Sequence, residues 1–161
     1  MYDHKIDAAD KPVMYRDLAS ALAGLVAGEP DAIANMANAA ALIFETLPDL
    51  NWAGFYRNLG GELVLGPFQG RPACIRIKFG EGVCGAAAET RRVQRVADVQ
   101  AFPGHIACDS ASNSELVVPI VGADGELLGV LDIDSPNTAR FDSEDEAGCV
   151  ALGEILERAL A

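Results

Sequence analysis

The stretch from Leu116 to Ile133 constrains the fold most. Two alternating apolar segments, Leu116 to Ile120 and Leu127 to Ile133, flank Gly122-Ala-Asp-Gly125, the signature of a β-hairpin. Alternation puts Leu116, Val118 and Ile120 on one face of the first strand, and Leu127, Leu131 and Ile133 on one face of the second. Burying both sets together sets the register, because a slip of one residue turns a whole strand over. Val121 then pairs with Glu126 and Glu115 with Asp132, while Asp134 lies two residues further on the same face. Three carboxylates are thus expected to cluster away from the core. Like charges side by side are destabilising, so such a group asks for a cation, a shared proton or a metal ion. A solvated acidic face is the plainer alternative.

The loop entering this hairpin, Pro103-Gly-His-Ile-Ala-Cys-Asp-Ser-Ala-Ser-Asn-Ser-Glu115, holds a cysteine in polar company. Free cysteines usually pack as small hydrophobes, whereas Cys108 is flanked by His105, Asp109, Ser110 and a Ser/Asn run. An exposed turn with an incidental thiol is one reading, and a reactive thiol is the other. Loops anchored to rigid strands carry a disproportionate share of binding and catalytic residues, and this one ends at Glu115 beside the expected carboxylates. That coincidence favours a site. His105, in a Pro-Gly turn, reads as structural.

Two helices are expected first. Met14 to Ala27 carries Leu18, Leu22 and Leu25 at helical spacing and stops at Gly28. Asp31 can cap a second helix bearing Ile33, Met36, Ala37, Ala40, Phe44 and Leu47, which Pro48-Asp49 breaks. From Asn51 the period becomes two, with Trp52 and Tyr56 on one face and Ala53 and Phe55 on the other. A Gly60-Gly61 turn and a strand from Glu62 to Leu65 follow. The aromatic pair suits a shield for the core or one wall of a pocket.

Gly66 to Ala73 is turn-rich and leads into a short strand expected to carry Cys74. Gly80-Glu-Gly-Val-Cys84-Gly reads as a glycine turn opening a short helix in which Cys84 packs. It is neither a Walker loop nor a dinucleotide fingerprint. Val93 to Val96 is a further short strand. After the hairpin, Ser135-Pro136-Asn137 ends the sheet. Ser143 and Glu146 form a predicted capping box for a last helix bearing Leu152, Ile155 and Leu156, near whose start Cys149 reads as structural.

With 161 residues, half of them hydrophobic, one core and a single domain over residues 1–161 are expected. Acidic residues outnumber basic ones 24 to 12, which leaves no electrostatic case for nucleic acid or an anionic membrane. The N-terminal heptapeptide has no apolar h-region and the apolar run Ala39 to Leu47 is short, so neither a signal peptide nor a membrane span is expected, and the location is read as cytoplasmic. The four cysteines lack a Cys-x-x-Cys pair and the histidines are only His4 and His105, which argues against structural zinc.

An α+β arrangement of a central antiparallel sheet, with N- and C-terminal helices on one face and long loops on the other, resembles a GAF domain. The motifs Asn51-Trp-Ala-Gly-Phe-Tyr56, Gly66-Pro-Phe-Gln-Gly-x-Pro-Ala-Cys74, Gly82-Val-Cys84-Gly, Pro103-Gly-His-Ile-Ala-Cys108-Asp, Ser112-Asn-Ser-Glu115 and Leu131-Asp-Ile-Asp-Ser-Pro136 together resemble the free methionine-R-sulfoxide reductases. That resemblance implies Cys108 as nucleophile, with Cys74 and Cys84 as the other two motif cysteines; Cys74, in a flexible Gly/Pro-rich segment, is the preferred resolving partner, and the more enclosed Cys84 is a secondary or regulatory one. It implies that Trp52 and Tyr56 recognise the substrate's methyl group and that Glu115, Asp132 and Asp134 bind the substrate. It further implies free methionine sulfoxide as substrate, thioredoxin or a similar dithiol as reductant, no cofactor, and a homodimer. A non-catalytic GAF sensor of small molecules and a thiol redox sensor are the alternatives.

Overall fold

The structure is a computed structural model that describes residues 6–7 and 9–161; most of the heptapeptide read for a signal sequence, residues 1–5, lies outside the described residues. Helix α1 spans Lys11–Val26, starting three residues before the predicted Met14. Asp10 caps it by accepting from the Val13 N–H, and Pro12 occupies the first turn, where a missing N–H costs nothing. Helix α2, Ala32–Thr46, is capped by Asp31 as expected, whose carboxylate accepts from the Ala34 N–H.

Strands β1 (Trp52–Leu59), β2 (Glu62–Gly70) and β3 (Arg76–Lys78) come next. They are followed by helix α3 (Gly82–Thr90), strand β4 (Gln94–Val96), strands β5 (Ser114–Val121) and β6 (Leu127–Ser135), and helix α4 (Ser143–Leu160). The six strands form one antiparallel sheet in the order β3-β2-β1-β6-β5-β4. Helices α1, α2 and α4 cover one face. There Leu18, Leu22, Ile43, Leu152 and Leu156 meet Phe55, Leu116, Val118, Leu131 and Ile133 in the main core. Helix α3 and the long loops lie on the other face, over Trp52, Tyr56, Val117 and Val130. The α+β architecture is therefore the one expected. Among the described residues no helix is long and apolar enough to cross a membrane.

Three local expectations need correction. Strand β2 runs five residues beyond Leu65, and Cys74 belongs to no strand, since β3 begins only at Arg76. The chain leaves the sheet at Gly70, whose φ of 130° suits glycine, and Pro72 then offers no N–H to a ladder. The α4 capping box lies one residue early, on Asp142 and Asp145 rather than Ser143 and Glu146. Asp145 also accepts from Tyr15, Lys11 and Arg140, so tertiary partners select the frame.

The third correction concerns the hairpin. Val121 pairs with Leu127 and Ile120 with Gly129, so Leu128 is an extra residue on β6. This bulge sends Leu127 to the α3 side and leaves Leu128 against the helical core, against the expectation for Leu127. Beyond it Glu115 pairs with Asp134, and Val117 with Asp132, two residues from the predicted register. A shift of two keeps every side chain on its face, so the three carboxylates still share one side.

Candidate functional site

A cavity on the α3 side of the sheet gathers residues that are far apart in the chain. Strand β1 supplies Trp52 and Tyr56, β5 supplies Glu115, β6 supplies Asp132 and Asp134, the first turn of α3 supplies Cys84, and the loop before β5 supplies Cys108. Cys108 is joined by a disulfide to Cys74, with the two Cα atoms 5.2 Å apart. Both cysteines are half-buried. With this bond in place the cavity, which is open to solvent on one side, has a volume of about 40 Å³.

The aromatic wall is built by alternation along β1. Trp52 and Tyr56 stack with centroids 5.9 Å apart, and Phe68 of β2 also stacks on Trp52, at 5.2 Å. The polar tips hold backbone. The Trp52 indole N–H donates to the Arg71 carbonyl at 3.1 Å, and the Tyr56 hydroxyl donates to the Cys74 carbonyl at 3.0 Å. Both tips thus restrain the Gly/Pro-rich segment that carries one half of the disulfide.

The Cys108 loop is held by Asn51. Its amide nitrogen donates to Asp109 at 3.1 Å and to Ser112 at 3.0 Å, tying the loop to the start of β1. Asp109, Ser112 and His105 line the cavity. Asp109, Ser112 and Phe68 are site residues that sequence reasoning left without a role. Phe68 could have been found only by knowing that β2 continues past Leu65, while Asp109 and Ser112 could have been found as Asn51 partners only from the fold.

Burial governs the electrostatics. Glu115, Asp132 and Asp134 are 8%, 5% and 8% exposed, and none of them joins an ion pair among the described residues. Desolvation, with Asp132 and Asp134 nearby, pushes the Glu115 carboxyl well above the ordinary range. Desolvation raises Asp134 as well, helped by the charges of Asp132 and Asp109. Asp132 is pushed up to about 6 by desolvation, with the neighbouring Glu115 and Cys84 pulling the other way. The Cys84 thiol donates to Glu115 Oε1 at 3.7 Å, and its pKa is raised by burial and by the surrounding carboxylates. Asp132 Oδ1 is buried without a partner. The cluster can therefore hold a proton at a pH where exposed carboxyls are ionised, or receive a cation.

Cys149 is elsewhere. It is 1% exposed in the helical core, with its Sγ donating to the Tyr15 hydroxyl at 3.9 Å and its pKa pushed up to about 12, mainly by burial.

Comparisons with known proteins agree with this architecture. The family model for the GAF domain matches residues 30–161. The free methionine-R-sulfoxide reductase of Escherichia coli is 51% identical over 94% of this chain and 92% of its own length. The protein of the same name from Saccharomyces cerevisiae is 45% identical over 84% of this chain and 79% of its own. Among solved structures, the free methionine-R-sulfoxide reductase from Neisseria meningitidis, in complex with its substrate, superposes with a TM-score of 0.94 at 44% identity, covering 99% of this chain and 96% of that one. The chain belongs to the GAF-domain family and, within it, to the free methionine-R-sulfoxide reductases, which are oxidoreductases.

Proposed function

We propose that the chain reduces free L-methionine (R)-sulfoxide to methionine. The observation that carries this reading is the cavity itself: a disulfide-forming loop thiol faces an aromatic wall and three buried carboxylates that have no cation of their own among the described residues. A free amino acid has an ammonium group for the carboxylates, and its S-methyl group suits the Trp52–Tyr56 wall.

In the reaction, the Cys108 thiolate attacks the sulfoxide sulfur. The oxygen departs from that sulfur only once it is protonated, and a carboxyl whose pKa is raised, as for Glu115, Asp132 and Asp134, is a suitable donor. The protonated oxygen passes to the Cys108 sulfur as the bond between the two sulfurs breaks and its electron pair returns to the substrate sulfur, so methionine leaves and Cys108 is left as a sulfenic acid. The Cys74 thiol then displaces that oxygen as water and forms the disulfide. A dithiol of the thioredoxin type reopens it by exchange, its own thiols being oxidised in turn, and a reducing cytoplasm suits this step. Cys84 has a secondary or regulatory place in this chemistry. Thioredoxin and a homodimeric assembly rest on the family resemblance alone.

The test is incubation with the R and S epimers of free methionine sulfoxide under a dithiol reductant. Methionine release from the R epimer is expected. Its absence would sink the enzyme reading and leave a sensor.

A further inference from the structure

Cys84 is chemically surplus to a site that only binds an ammonium group, because oxygen acceptors suffice for that. Its sulfur nonetheless lies among the carboxylates. The Sγ of Cys84 and carboxylate oxygens of Glu115 and Asp132 lie within 4.8 Å of one another, and all three side chains are buried. Independently, Asp132 Oδ1 is buried and unpartnered, on a residue that is 5% exposed and lines the cavity.

One soft sulfur with two hard oxygens is a donor set for a borderline-soft, tetrahedral ion. Zn²⁺ takes thiolate sulfur at about 2.3 Å and carboxylate oxygen at about 2.0–2.2 Å, which puts neighbouring donors roughly 3.5 Å apart. The present spacing needs to close by on the order of 1 Å, a side-chain adjustment. The cavity of about 40 Å³ has room for an ion and a coordinated water even while the disulfide is closed.

We propose that Cys84, Glu115 and Asp132 form a site for a thiophilic divalent cation of the Zn²⁺ type, with a water in the fourth position. The ion neutralises Glu115 and Asp132, which have no cationic partner among the described residues. A second consequence rests on the substrate reading above: an occupied site cannot accept an amino-acid ammonium, so the metal competes with substrate.

The metal is best tested on the disulfide form, in which Cys84 and Cys149 are the free cysteines. Titration with Co²⁺ should give one saturable equivalent with a thiolate-to-metal charge-transfer band, and Zn²⁺ should displace it. Cys84→Ser should lose the band. It should also weaken Zn²⁺ by at least the roughly 10- to 100-fold that follows loss of a mere supporting contact. Asp132→Asn should keep the band with weakened affinity, and Cys149→Ala should change neither. Circular dichroism verifies the folding of each variant, and Cys84→Ala serves if the serine variant is unstable. Absence of saturable binding, a band that survives in Cys84→Ser, or one lost in Cys149→Ala overturns the site.

Competition is read on reduced Cys108→Ser protein, which binds substrate without turnover. Displacement of Zn²⁺ by the R-sulfoxide supports the second consequence, and simultaneous binding overturns it. Failure of methionine release by the unmodified enzyme would instead strike the substrate reading and leave metal binding untouched.

Discussion

The Tyr56 hydroxyl donates a 3.0 Å hydrogen bond to the carbonyl oxygen of Cys74, so one wall of the cavity grips the backbone of the proposed resolving cysteine. Tyr56→Phe keeps the ring and removes that grip. The loss of one hydrogen bond, about 1 kcal/mol, should slow closure of the Cys74–Cys108 disulfide by roughly fivefold. Methionine release in the first turnover should be much less affected. Rapid-quench mass spectrometry separates the two steps, and equal slowing of both would show that the hydroxyl acts on substrate instead.

Cys108→Ser should abolish methionine formation, because no sulfur remains to accept the oxygen. Cys74→Ser should instead release one equivalent of methionine and then stall with thioredoxin as reductant, leaving Cys108 oxidised. Quantifying methionine per active site checks both. Full steady-state activity in either variant contradicts its assigned role.

The carboxylate cluster makes a pH prediction. Asp132 has its pKa raised from 3.8 to about 6, so its burial favours folding while it is protonated. That contribution is fully present below pH 3.8 and is lost as the pH rises through about 6, an effect on the order of 3 kcal/mol. Glu115 and Asp134, raised further, extend the loss to higher pH. The substrate-free protein should therefore lose stability across this window, and Asp132→Asn should flatten the dependence. Chemical denaturation from pH 4 to pH 8 measures it, and parallel curves for the two proteins refute the shift.

The disulfide form should not bind substrate. The Cys108 sulfur is spent in its bond to Cys74, and the space left beside it, about 40 Å³, takes a few waters but not an amino acid. Calorimetric titration of the oxidised protein with the R-sulfoxide should show no saturation, whereas reduced Cys108→Ser should bind. Comparable affinities would mean that the loops open without reduction.

Stability away from the site should depend on Asp145. It is fully buried and accepts from the Tyr15 hydroxyl, Lys11, Arg140 and the Asp142 N–H, clamping α1 to α4. Asp145→Ala leaves Arg140 buried without its partner and should cost roughly 3–5 kcal/mol. Activity per folded molecule should be retained. A change in the denaturation midpoint equivalent to less than 1 kcal/mol would show the network to be dispensable.

The faces of the sheet are legible from residue alternation wherever a strand has no bulge, because there side-chain direction depends only on parity; Leu127, on the far side of the bulge, is the exception. Trp52 and Tyr56 were thereby assigned to the side opposite Ala53 and Phe55, as found. The register is not legible in full, since nothing in the alternation of the hairpin marks the extra residue at Leu128. A Cβ at Gly129 would overlap the Tyr56 carbonyl, a constraint invisible within the hairpin itself. The error of two residues spared the carboxylate cluster, whereas an error of one would have dispersed it. The α4 frame was missed for a similar reason: both Asp142 and Ser143 can cap, and the partners on α1 and at Arg140 decide between them. Phe68 is not legible as part of the wall because glycine and proline in Gly66-Pro67 suggest a turn, yet β2 continues through them.

The sheet is also a partition between sulfur atoms. Cys74, Cys84 and Cys108 lie on its α3 side, while Cys149 is sealed among helices on the other. A sulfenic acid formed at Cys108 has no route through that hydrogen-bonded wall to Cys149, so the layered fold itself removes one of the possible wrong pairings. In the proposed cycle, oxidising equivalents taken from a substrate would stay on the side of the sheet that carries Cys74 and Cys108.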